Sequence, residues 1–425
     1  MINWRRVDKI ITYHSKGVTP KYVDKSSIIV LNQKCIRNNK IDYSFAQYID
    51  DNKVYNEDKI LKVGDILINS TGQGTAGRIA MVDFIPEGFQ IIVDSHILIL
   101  RTNNFYESKC LNYSLFSIEA KLQTFMDGST GQGEFDKIRL FNVHVGYPKD
   151  NISQQKIAKI LSDLDSKIEL NNKINAELDA MSKTLYDYWF VQFDFPDKNG
   201  KPYKSSGGKM VWNGELKREI PEGWEVKELS DIANITMGQS PPGETYNEEG
   251  IGAIFYQGCT DFGKRFPTIR KFTSSPTRYA RQGEILLSVR APVGTMNIAK
   301  EDCCIGRGLA SLNSKDNSIS YLFGVMVNLK QIFDRRNVDG TTFGSITKDD
   351  LFSLKVIKPS KIVLEKFNSI INPCFQKQNK LSVENIELAS LRDWLLPMLM
   401  NGQVTVGDVE EKLGMVAEKG DGHGN

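Results

Sequence analysis

The sequence has few of the features that mark secreted, membrane-bound or disulfide-rich proteins. Its six cysteines form no C-x-x-C pair, which in a chain of 425 residues favours reduced thiols over a disulfide framework. No stretch approaches the roughly 18 consecutive apolar residues of a membrane-spanning helix. The first residues, MINWRRVDKIITYHSKG, carry charges throughout, unlike a signal peptide. These absences predict a cytoplasmic protein without a membrane partner.

Motifs of catalysis and of cofactor binding are also missing. The sequence contains no Walker A motif, no H-E-x-x-H, no Cys/His metal spacing and no Asn-Pro-Pro-Tyr-type methyltransferase signature. Residues 72–77 fit G-x-G-x-x-G, but the segment RIAMVDFIP that follows predicts a strand, whereas a dinucleotide site needs a helix there. His14, His96 and His144 are isolated and are interpreted as structural. We expect a protein that is not an enzyme and that holds no metal and no cofactor.

Charge gives neither half of the chain a basic character. The net charge is +2, and Lys plus Arg exceed Asp plus Glu by only 19 to 17 over residues 1–150 and 17 to 16 over residues 221–360. A contact with a polyanion must therefore come from local clusters of basic side chains.

The longest helix-like stretch covers residues 152–193 and contains neither Gly nor Pro. Its apolar residues recur with a 4,3,4,3 spacing, which is the seam of a coiled coil, and a weaker copy covers residues 362–399. Two irregularities should disturb the seam: a six-residue step from Ile168 to Ile174, and Pro373, which should kink or interrupt the second helix. The predicted seam consists of Ile157, Leu161, Leu164, Ile168, Ile174, Leu178, Met181, Leu185, Phe367, Ile371, Leu381, Leu388, Leu391 and Leu395.

Four landmarks recur in the same order in the two halves of the chain, at offsets of 210–221 residues. They are Trp4 and Trp224, the segments 64–80 and 283–299, FNVHVGYP (141–148) and FSLKVIKP (352–359), and the two helix-like stretches. The period is far too long for a solenoid repeat. It indicates two copies of one unit, in which a globular domain precedes a long helix.

Several segments together resemble the DNA-specificity subunit of type I restriction–modification systems. They are QQKIAKILSDLDSKIELNNKI (154–174), LYDYWFVQFDFP (185–196), IPEGWEVKELSDIA (220–233) and LRDWLLPMLMNGQV (391–404). The resemblance implies two target-recognition domains, each reading one half of a split, non-palindromic DNA sequence. It also implies double-stranded DNA, two methyltransferase subunits and restriction–translocase subunits as partners, with no chemistry in the chain itself.

The expected fold class is α+β, with two mixed α/β target-recognition domains separated by two long helices that form an antiparallel coiled coil, and with an internal pseudo-twofold repeat. At 1.5 Å per residue, the 39 residues 152–190 of the first helix would span roughly 58 Å, or about 17 base pairs of B-DNA. The expected boundaries are 1–150 for the first recognition domain, 151–193 for the first spacer helix, 194–220 for a linker, 221–360 for the second recognition domain, 361–400 for the second helix and 401–425 for a C-terminal tail.

Glycine-rich loops and basic clusters are the candidate DNA contacts. STGQG occurs at 70–74 and 129–133, and SVRAPVG (288–294) and DGTTFGS (339–345) take the same places in the second half. The backbone N–H groups and short polar side chains of these loops can bind phosphate oxygens, while Gln can pair with adenine and Arg with guanine. The same loops could equally be glycine-rich hairpin turns without a role in binding. Segment 262–283 holds six basic residues and no acid, which fits nucleic acid or a solvated face.

The candidate DNA-contacting residues are Ser70, Thr71, Gln73, Arg78, Ser129, Thr130, Gln132, Lys264, Arg265, Arg270, Lys271, Arg278, Arg290, Arg335, Arg336, Thr341 and Thr342. Tyr188, Trp189 and Phe190 would dock a partner or close the helix end, with Trp394 and Leu395 as their counterparts. The alternative to DNA recognition is a coiled-coil assembly adaptor that does not bind DNA.

Overall fold

The first half of the chain alternates short strands with short helices before one long helix. The structure is a computed structural model that describes residues 2–51, 55–127, 134–338, 344–409 and 411, with the backbone alone for 127, 331, 332 and 335–338. The strands are β1 (Ile2–Arg6), β2 (Tyr13–Lys16), β3 (Ile28–Leu31), β4 (Ile36–Arg37), β5 (Lys40–Ile41), β6 (Gln47–Tyr48), β7 (Ile66–Asn69), β8 (Ile79–Met81), β9 (Gln90–Val93), β10 (Ile97–Arg101), β11 (Met126–Asp127), β12 (Glu134–Phe135) and β13 (His144–Pro148). The helices are α1 (Phe105–Phe116), α2 (Glu119–Leu122), α3 (Lys137–Asn142) and α4 (Asn151–Tyr186).

The second half repeats this order after a short hairpin. Its strands are β14 (Met210–Asn213), β15 (Arg218–Pro221), β16 (Glu225–Glu228), β17 (Ala233–Met237), β18 (Tyr246–Asn247), β19 (Ala253–Tyr256), β20 (Phe272–Thr273), β21 (Tyr279–Ala280), β22 (Ile285–Ser288), β23 (Met296–Ile298), β24 (Cys303–Ile305), β25 (Leu309–Ser314) and β26 (Lys355–Lys358). Its helices are α5 (Leu229–Ile232), α6 (Ile319–Val338), α7 (Lys348–Phe352) and α8 (Lys361–Asn401).

The two halves share one sheet topology, which confirms the internal repeat. Each contains a four-stranded antiparallel sheet, in the order β2-β10-β7-β8 and β17-β25-β22-β23. Each also contains a sheet with one parallel pair, β3 with β9 and β19 with β24. The first and last strands of each half pair antiparallel, β1 with β13 and β16 with β26. The central strands β7 and β22 are buried on both faces, so they are apolar runs and not alternating ones.

The chain divides into two units that each contain part of both long helices. Unit 1 comprises Met1–Ile168 and Glu387–Asn425, and unit 2 comprises Glu169–Ile386. Within the described ranges, no helix is apolar and long enough to cross a membrane. The same ranges contain no group of three or more His, Cys, Asp or Glu side chains placed to hold a metal ion.

The two long helices pair antiparallel within each unit. In unit 1, Ile157 and Leu161 of α4 share a buried cluster with Leu395 and Leu399 of α8. In unit 2, Asn175 of α4 donates a hydrogen bond to the Ser382 hydroxyl at 3.2 Å. Residue numbers therefore increase along α4 in the direction in which they decrease along the facing α8. The predicted antiparallel pairing is confirmed.

The seam of α4 runs without a break through polar residues. Asn171 is fully buried, and its Nδ2 donates to Glu384 Oε2 at 2.9 Å and to Asn385 Oδ1 at 3.0 Å. Asn385 in turn donates to Asn172 Oδ1 at 3.2 Å. The 4,3 spacing continues through Ile157, Leu161, Leu164, Ile168, Asn171, Asn175, Leu178, Ser182 and Leu185, all of which are buried or half-buried. The predicted six-residue step is therefore wrong, because it counted apolar residues alone, whereas the seam continues through Asn171, which lies inside that step and belongs to this central polar layer.

Two predicted seam residues lie off the seam. Met181 is 45% exposed and Leu391 is 36% exposed. The half-buried residues beside them, Ser182 and Arg392, occupy the 4,3 positions instead. Arg392 donates to Asp165 Oδ1 at 2.8 Å within unit 1, so a polar pair fills the place predicted for a leucine.

The second long helix is continuous. It runs from Lys361 to Asn401 through Pro373, so the predicted interruption is wrong. Ile371 and Phe375 on either side of Pro373 are buried, and their packing offsets the hydrogen bond that proline cannot make.

An aromatic cluster closes the end of α4 in unit 2. The helix passes into a π-helical turn at Asp187–Val191, which carries Trp189 and Phe190 into the core. Phe190 lies 4.8 Å, centroid to centroid, from both Tyr321 and Phe367. Trp189 and Phe190 thus close the helix end as predicted, whereas Tyr188, the third residue of that prediction, is 36% exposed. Trp394, their predicted counterpart, is 48% exposed and does not repeat the arrangement, although Leu395 is buried.

Candidate nucleic-acid interface

The first glycine-rich loop joins β7 to β8 in unit 1 as a tight turn. Thr75 and Ala76 donate backbone N–H groups back to the Gly72 carbonyl. Gly77 has a φ of +83°, and a Cβ there would lie 2.8 Å from the Leu122 carbonyl carbon, so only glycine fits. The strand β8 follows immediately. The rejection of a dinucleotide site is therefore confirmed, because that site needs a helix.

A connected polar cluster stands at the base of this loop. The Gln33 amide donates to the Thr71 hydroxyl, which lies 2.9 Å from His96 Nδ1. Asn69 Nδ2 donates to the Gln33 carbonyl at 3.1 Å and fixes the backbone there. His96 is exposed, while Gln33 and Thr71 are half-buried. The cluster therefore presents neutral donors and acceptors at the surface of the domain.

The loop is paired with the segment that follows the second glycine-rich loop. Thr71 forms an antiparallel bridge with Glu134, and Phe135 donates its N–H to the Ser70 carbonyl at 2.9 Å. Glu134 also forms an ion pair with Lys16 at the end of β2. The two predicted loop regions of the first half thus meet through their described flanks.

Unit 2 contains the same connections with different side chains. Arg290 forms an antiparallel bridge with Ser345, and Ile346 donates its N–H to the Val289 carbonyl at 2.9 Å. Val289 N–H donates to the Gly308 carbonyl, as Ser70 N–H donates to the His96 carbonyl. Both domains therefore share these bridges and backbone hydrogen bonds, which we call the backbone frame. The side chains that the frame carries at the surface differ between the domains.

A basic cleft lies on this frame in unit 2. Its volume is about 540 Å³, and three exposed cations border it: Arg290, Arg307 and Lys348. Lys348 begins α7, and its ammonium lies 5.2 Å from the centre of the Phe352 ring. The described lining residues include no Asp or Glu. Such a concentration of positive charge in a concave site attracts polyanions and raises their local concentration.

The basic segment 262–283 does not act as one surface. Arg265 turns inward, where it donates to Asn379 Oδ1 and lies 4.3 Å from the centre of the Phe375 ring on α8. Burial lowers the pKa of the Arg265 guanidinium to about 10. Arg270 pairs with Asp261 at 2.9 Å, and Arg281 pairs with Asp302 at 2.6 Å. Arg265 is therefore withdrawn from the predicted DNA contacts, because its side chain fastens the domain to the long helix.

The far end of that segment lies beside the cleft. The Thr277 hydroxyl donates to the Gln239 carbonyl, and the Arg307 N–H donates to the Ser240 hydroxyl at 3.3 Å. Arg278, next to Thr277, is exposed. Lys264 is exposed and Lys271 half-exposed on the same segment.

Several predicted contacts are placed elsewhere. Ser70 is only 2% exposed and takes the place of Val289, so its side chain belongs to the interior. Arg78 donates to the Gly74 carbonyl at 2.7 Å and holds the turn closed. Thr71, Gln73 and Arg290 remain at the surface. The predicted contacts outside the described residues are Ser129, Thr130, Gln132, Thr341 and Thr342, together with the side chains of Arg335 and Arg336.

Sequence reasoning missed Gln33, His96, Arg307 and Lys348. His96 was predicted to be an isolated structural histidine; its ring is exposed and lies within hydrogen-bond distance of the Thr71 hydroxyl. Lys348 could have been found, because Lys137 stands at the same place relative to FNVHVGYP as Lys348 does to FSLKVIKP. Gln33 and Arg307 lie far from the loops in sequence, and only strand pairing brings them near.

Comparison with known proteins decides the family. The family described as type I restriction modification DNA specificity domain matches the chain twice, over residues 5–180 and 221–381. The chain belongs to this family. Each match covers one copy of the repeat; the first extends over most of α4 and the second over about half of α8.

Named specificity subunits align with nearly the whole chain. A protein of Methanocaldococcus jannaschii, named as the MjaX type I restriction enzyme specificity subunit, is 32% identical over 417 residues, covering 95% of this chain and 93% of that protein. The HindI specificity subunit of Haemophilus influenzae is 25% identical, with 81% and 88% covered. The crystal structure of an S subunit from M. genitalium has a TM-score of 0.59 at 18% identity, with 94% and 96% covered, and shows the same fold. The chain is therefore a type I specificity subunit, a DNA-recognition component that is not itself an enzyme.

Proposed function

We propose that this specificity subunit reads a bipartite, non-palindromic DNA target, one half with each recognition domain, and holds the methyltransferase and restriction subunits on its long helices. The observation that carries the proposal is the shared frame with unlike side chains. Thr71 in the first domain and Arg290 in the second occupy the same bridge position. Two domains with the same backbone frame but different surface side chains are suited to bind two different half-sites.

The proposed DNA contacts follow from exposure on that frame. In the first domain they are Thr71 and Gln73, with Gln33 and His96 added. In the second they are Arg290, Arg307 and Lys348, with Lys264, Lys271 and Arg278 as phosphate contacts. Arg270 is retained as a weaker candidate because Asp261 pairs with it. All of these residues are exposed or half-buried.

The proposed domain limits keep the recognition domains at 1–150 and 221–360 and the spacer helices at 151–193 and 361–400, with the linker at 194–220 and the tail from 401. Residues 412–425 of that tail lie outside the described ones. The proposed partners are double-stranded DNA, two methyltransferase subunits and restriction–translocase subunits. Since the substrate is the cell's own DNA and the DNA entering it, the proposed location is the cytoplasm.

Footprinting tests the bipartite target. The full chain, purified with its methyltransferase subunit, should protect two short DNA blocks separated by a gap of fixed length. The target itself can be obtained by sequencing the methylated positions in a host that carries the complete system. A single uninterrupted protected motif would exclude the proposed reading by two separate domains.

Salt dependence separates this proposal from the adaptor alternative. DNA binding through the basic cleft releases counterions, so affinity should fall steeply between about 50 and 200 mM salt. An adaptor that does not bind DNA would assemble with its partners and show no such affinity for duplexes. Assembly without measurable duplex binding at low salt would favour the adaptor.

A further inference from the structure

The two recognition domains place different side chains at four of five equivalent positions of one backbone frame. The equivalence follows from matched hydrogen bonds: the N–H of Gly17 donates to the Ile97 carbonyl as that of Gly238 donates to the Leu309 carbonyl, and the bridges Thr71–Glu134 and Arg290–Ser345 correspond. Counting along the paired strands from these bonds matches Lys16 with Met237, Thr71 with Arg290, Ser95 with Arg307, Glu134 with Ser345 and Lys137 with Lys348.

The charge at these positions differs between the domains. In the first domain, Lys16 is paired with Glu134, which leaves Lys137 as the remaining cation of the set. In the second domain the set contains Arg290, Arg307 and Lys348 and no acid. The first set therefore has a net charge of +1, from two lysines and one glutamate, whereas the second has a net charge of +3 and contains both guanidinium groups.

Gln33 is placed to present one donor and one acceptor together. Its Nε2 donates one amide hydrogen to the Thr71 hydroxyl, which can in turn donate a hydrogen bond to His96 Nδ1. No described residue forms a hydrogen bond with the second amide hydrogen or with Oε1 of the same planar group. The adenine edge in the major groove offers the complementary pair, with N7 as acceptor and N6 as donor. Thr71 and the fixed backbone at Gln33 hold the amide in one orientation.

Arg290 and Arg307 have the complementary property for guanine. A guanidinium group donates two parallel hydrogen bonds, and guanine offers two acceptors, O6 and N7, on its major-groove edge. The two arginines border the same cleft, and Lys348 adds a cation that can hold a phosphate. A surface with three cations also releases more counterions than a neutral one.

We propose that the two half-sites are read by different chemistry: Gln33, held by Thr71 and His96, selects an adenine in the half-site of the first domain, and Arg290 with Arg307 selects guanine in the half-site of the second. The inference rests on the proposed function, because it requires each domain to bind one half of the target. It adds the base class that each domain selects and the residues that select it.

The test is a binding competition with the full chain in complex with its own methyltransferase subunit. The probes are duplexes of the methylome-derived target in which each base pair of each half-site is replaced singly. Gln33→Ala should reduce the preference for A·T at one position of one half-site by about 5- to 150-fold and leave the other half-site unchanged. Gln90→Ala, at an exposed glutamine on β9 of the same domain, should change neither.

Arg290 variants give the second arm. Arg290→Gln should abolish the preference for G·C at one position of the other half-site and lower the slope of log affinity against log salt by about one. Arg290→Lys should lose the same base preference and keep the salt slope, because it keeps the charge without the paired donors. Lys358→Gln removes one charge outside the cleft on β26 of unit 2 and should leave the base preference intact.

The outcomes separate a failure of the base assignments from a failure of the proposed function. A Gln33→Ala complex that weakens on every duplex by one common factor would overturn the adenine assignment. So would a lost preference for G·C in place of A·T. A wild-type complex that discriminates no base pair in either half would instead overturn the proposed function. Melting curves of each variant exclude misfolding, and Arg290→Lys tests the guanine assignment even if Arg290→Gln is unstable.

Discussion

Arg265 shows how a basic residue in a basic segment can serve the fold. Its guanidinium lies over the Phe375 ring and donates to Asn379, both on the long helix α8. Its neighbour Lys264 is exposed. Two adjacent cations in one stretch therefore have separate roles, and a charge count along the sequence cannot separate them.

Arg265→Ala should destabilise unit 2 and leave base discrimination unchanged. The variant removes a buried stacking contact and a hydrogen bond to Asn379, a loss of about 1–3 kcal/mol in the free energy of unfolding. Thermal melting of the full chain measures it. Lys264→Ala, one residue away, should melt as the wild type and weaken DNA binding slightly and equally for all sequences. An Arg265→Ala chain that keeps its melting temperature but loses one base preference would contradict this assignment.

The candidate surface was only partly predictable from residues. The glycine-rich loops and Arg290 were found because they repeat at a fixed offset. Gln33 reaches Thr71 across 38 positions, and Arg307 reaches the cleft through the pairing of β22 with β25. Ser70 was predicted to contact DNA because it belongs to the glycine-rich STGQG loop, but it directly follows β7 and is buried.

At the scale of elements, the central polar layer determines how α4 meets α8. The buried Asn171 donates to the half-buried Asn385, and Gln378 donates to the Asn175 carbonyl at 3.4 Å one turn further on. Oδ1 of Asn171 and of Asn175 are buried without a hydrogen-bond partner among the described residues. Such a polar layer lowers the stability of the correct helix pairing. It destabilises shifted or reversed pairings even more, because those would leave further amide groups without hydrogen-bond partners.

Asn171→Leu should lower the free energy of unfolding by about 1–3 kcal/mol, because Glu384 and Asn385 lose their buried donor. Combining it with Asn385→Leu should restore stability, since an apolar pair of similar size replaces both partners. The double variant should, however, associate into more than one oligomeric state. Chemical denaturation and light scattering measure the two effects.

The control for this experiment is Lys173→Leu, which adds the same apolar surface at an exposed position of α4. It should change neither property. If the single and double variants unfold at the same denaturant concentration as the wild type, the polar layer has no influence on the pairing.

The elements themselves were well predicted where periodicity is strong. The long helices, the seam from Ile157 to Ile168 and the strand after Gly77 agree with the sequence pattern. The errors at Met181, Leu391 and Ile174 have one cause. The pattern was followed through apolar residues, whereas the helices continue their 4,3 spacing through Asn171, Ser182 and Arg392.

At the scale of the whole molecule, the helix pair is proposed to set the gap between the half-sites. Deleting 166–172 from α4 together with the facing 385–391 from α8 removes one heptad from each helix and preserves the seam on both sides. Seven residues at 1.5 Å each correspond to about 10 Å, or about three base pairs. The preferred gap should therefore shorten by up to about three base pairs.

Selection from a library of targets with gaps of different length measures this effect. Deleting the seven residues from α4 alone is the control, because it breaks the pairing register and should reduce binding at every gap. A double-deletion complex that still prefers the original gap would exclude the spacer role.

The division of the chain into units has a consequence for its synthesis. Unit 1 contains residues on both sides of unit 2 in the sequence, and in its later part the Met400 carbonyl reaches Gly146 and Leu399 packs with Ile157. Unit 2 is enclosed between them in the sequence and can fold while the ribosome is still at work. The domain that leaves the ribosome first is therefore the one completed last. Until the segment around Leu399 has been synthesised, the apolar side chains that pack against it, such as Ile157, stay exposed to water and to chaperones.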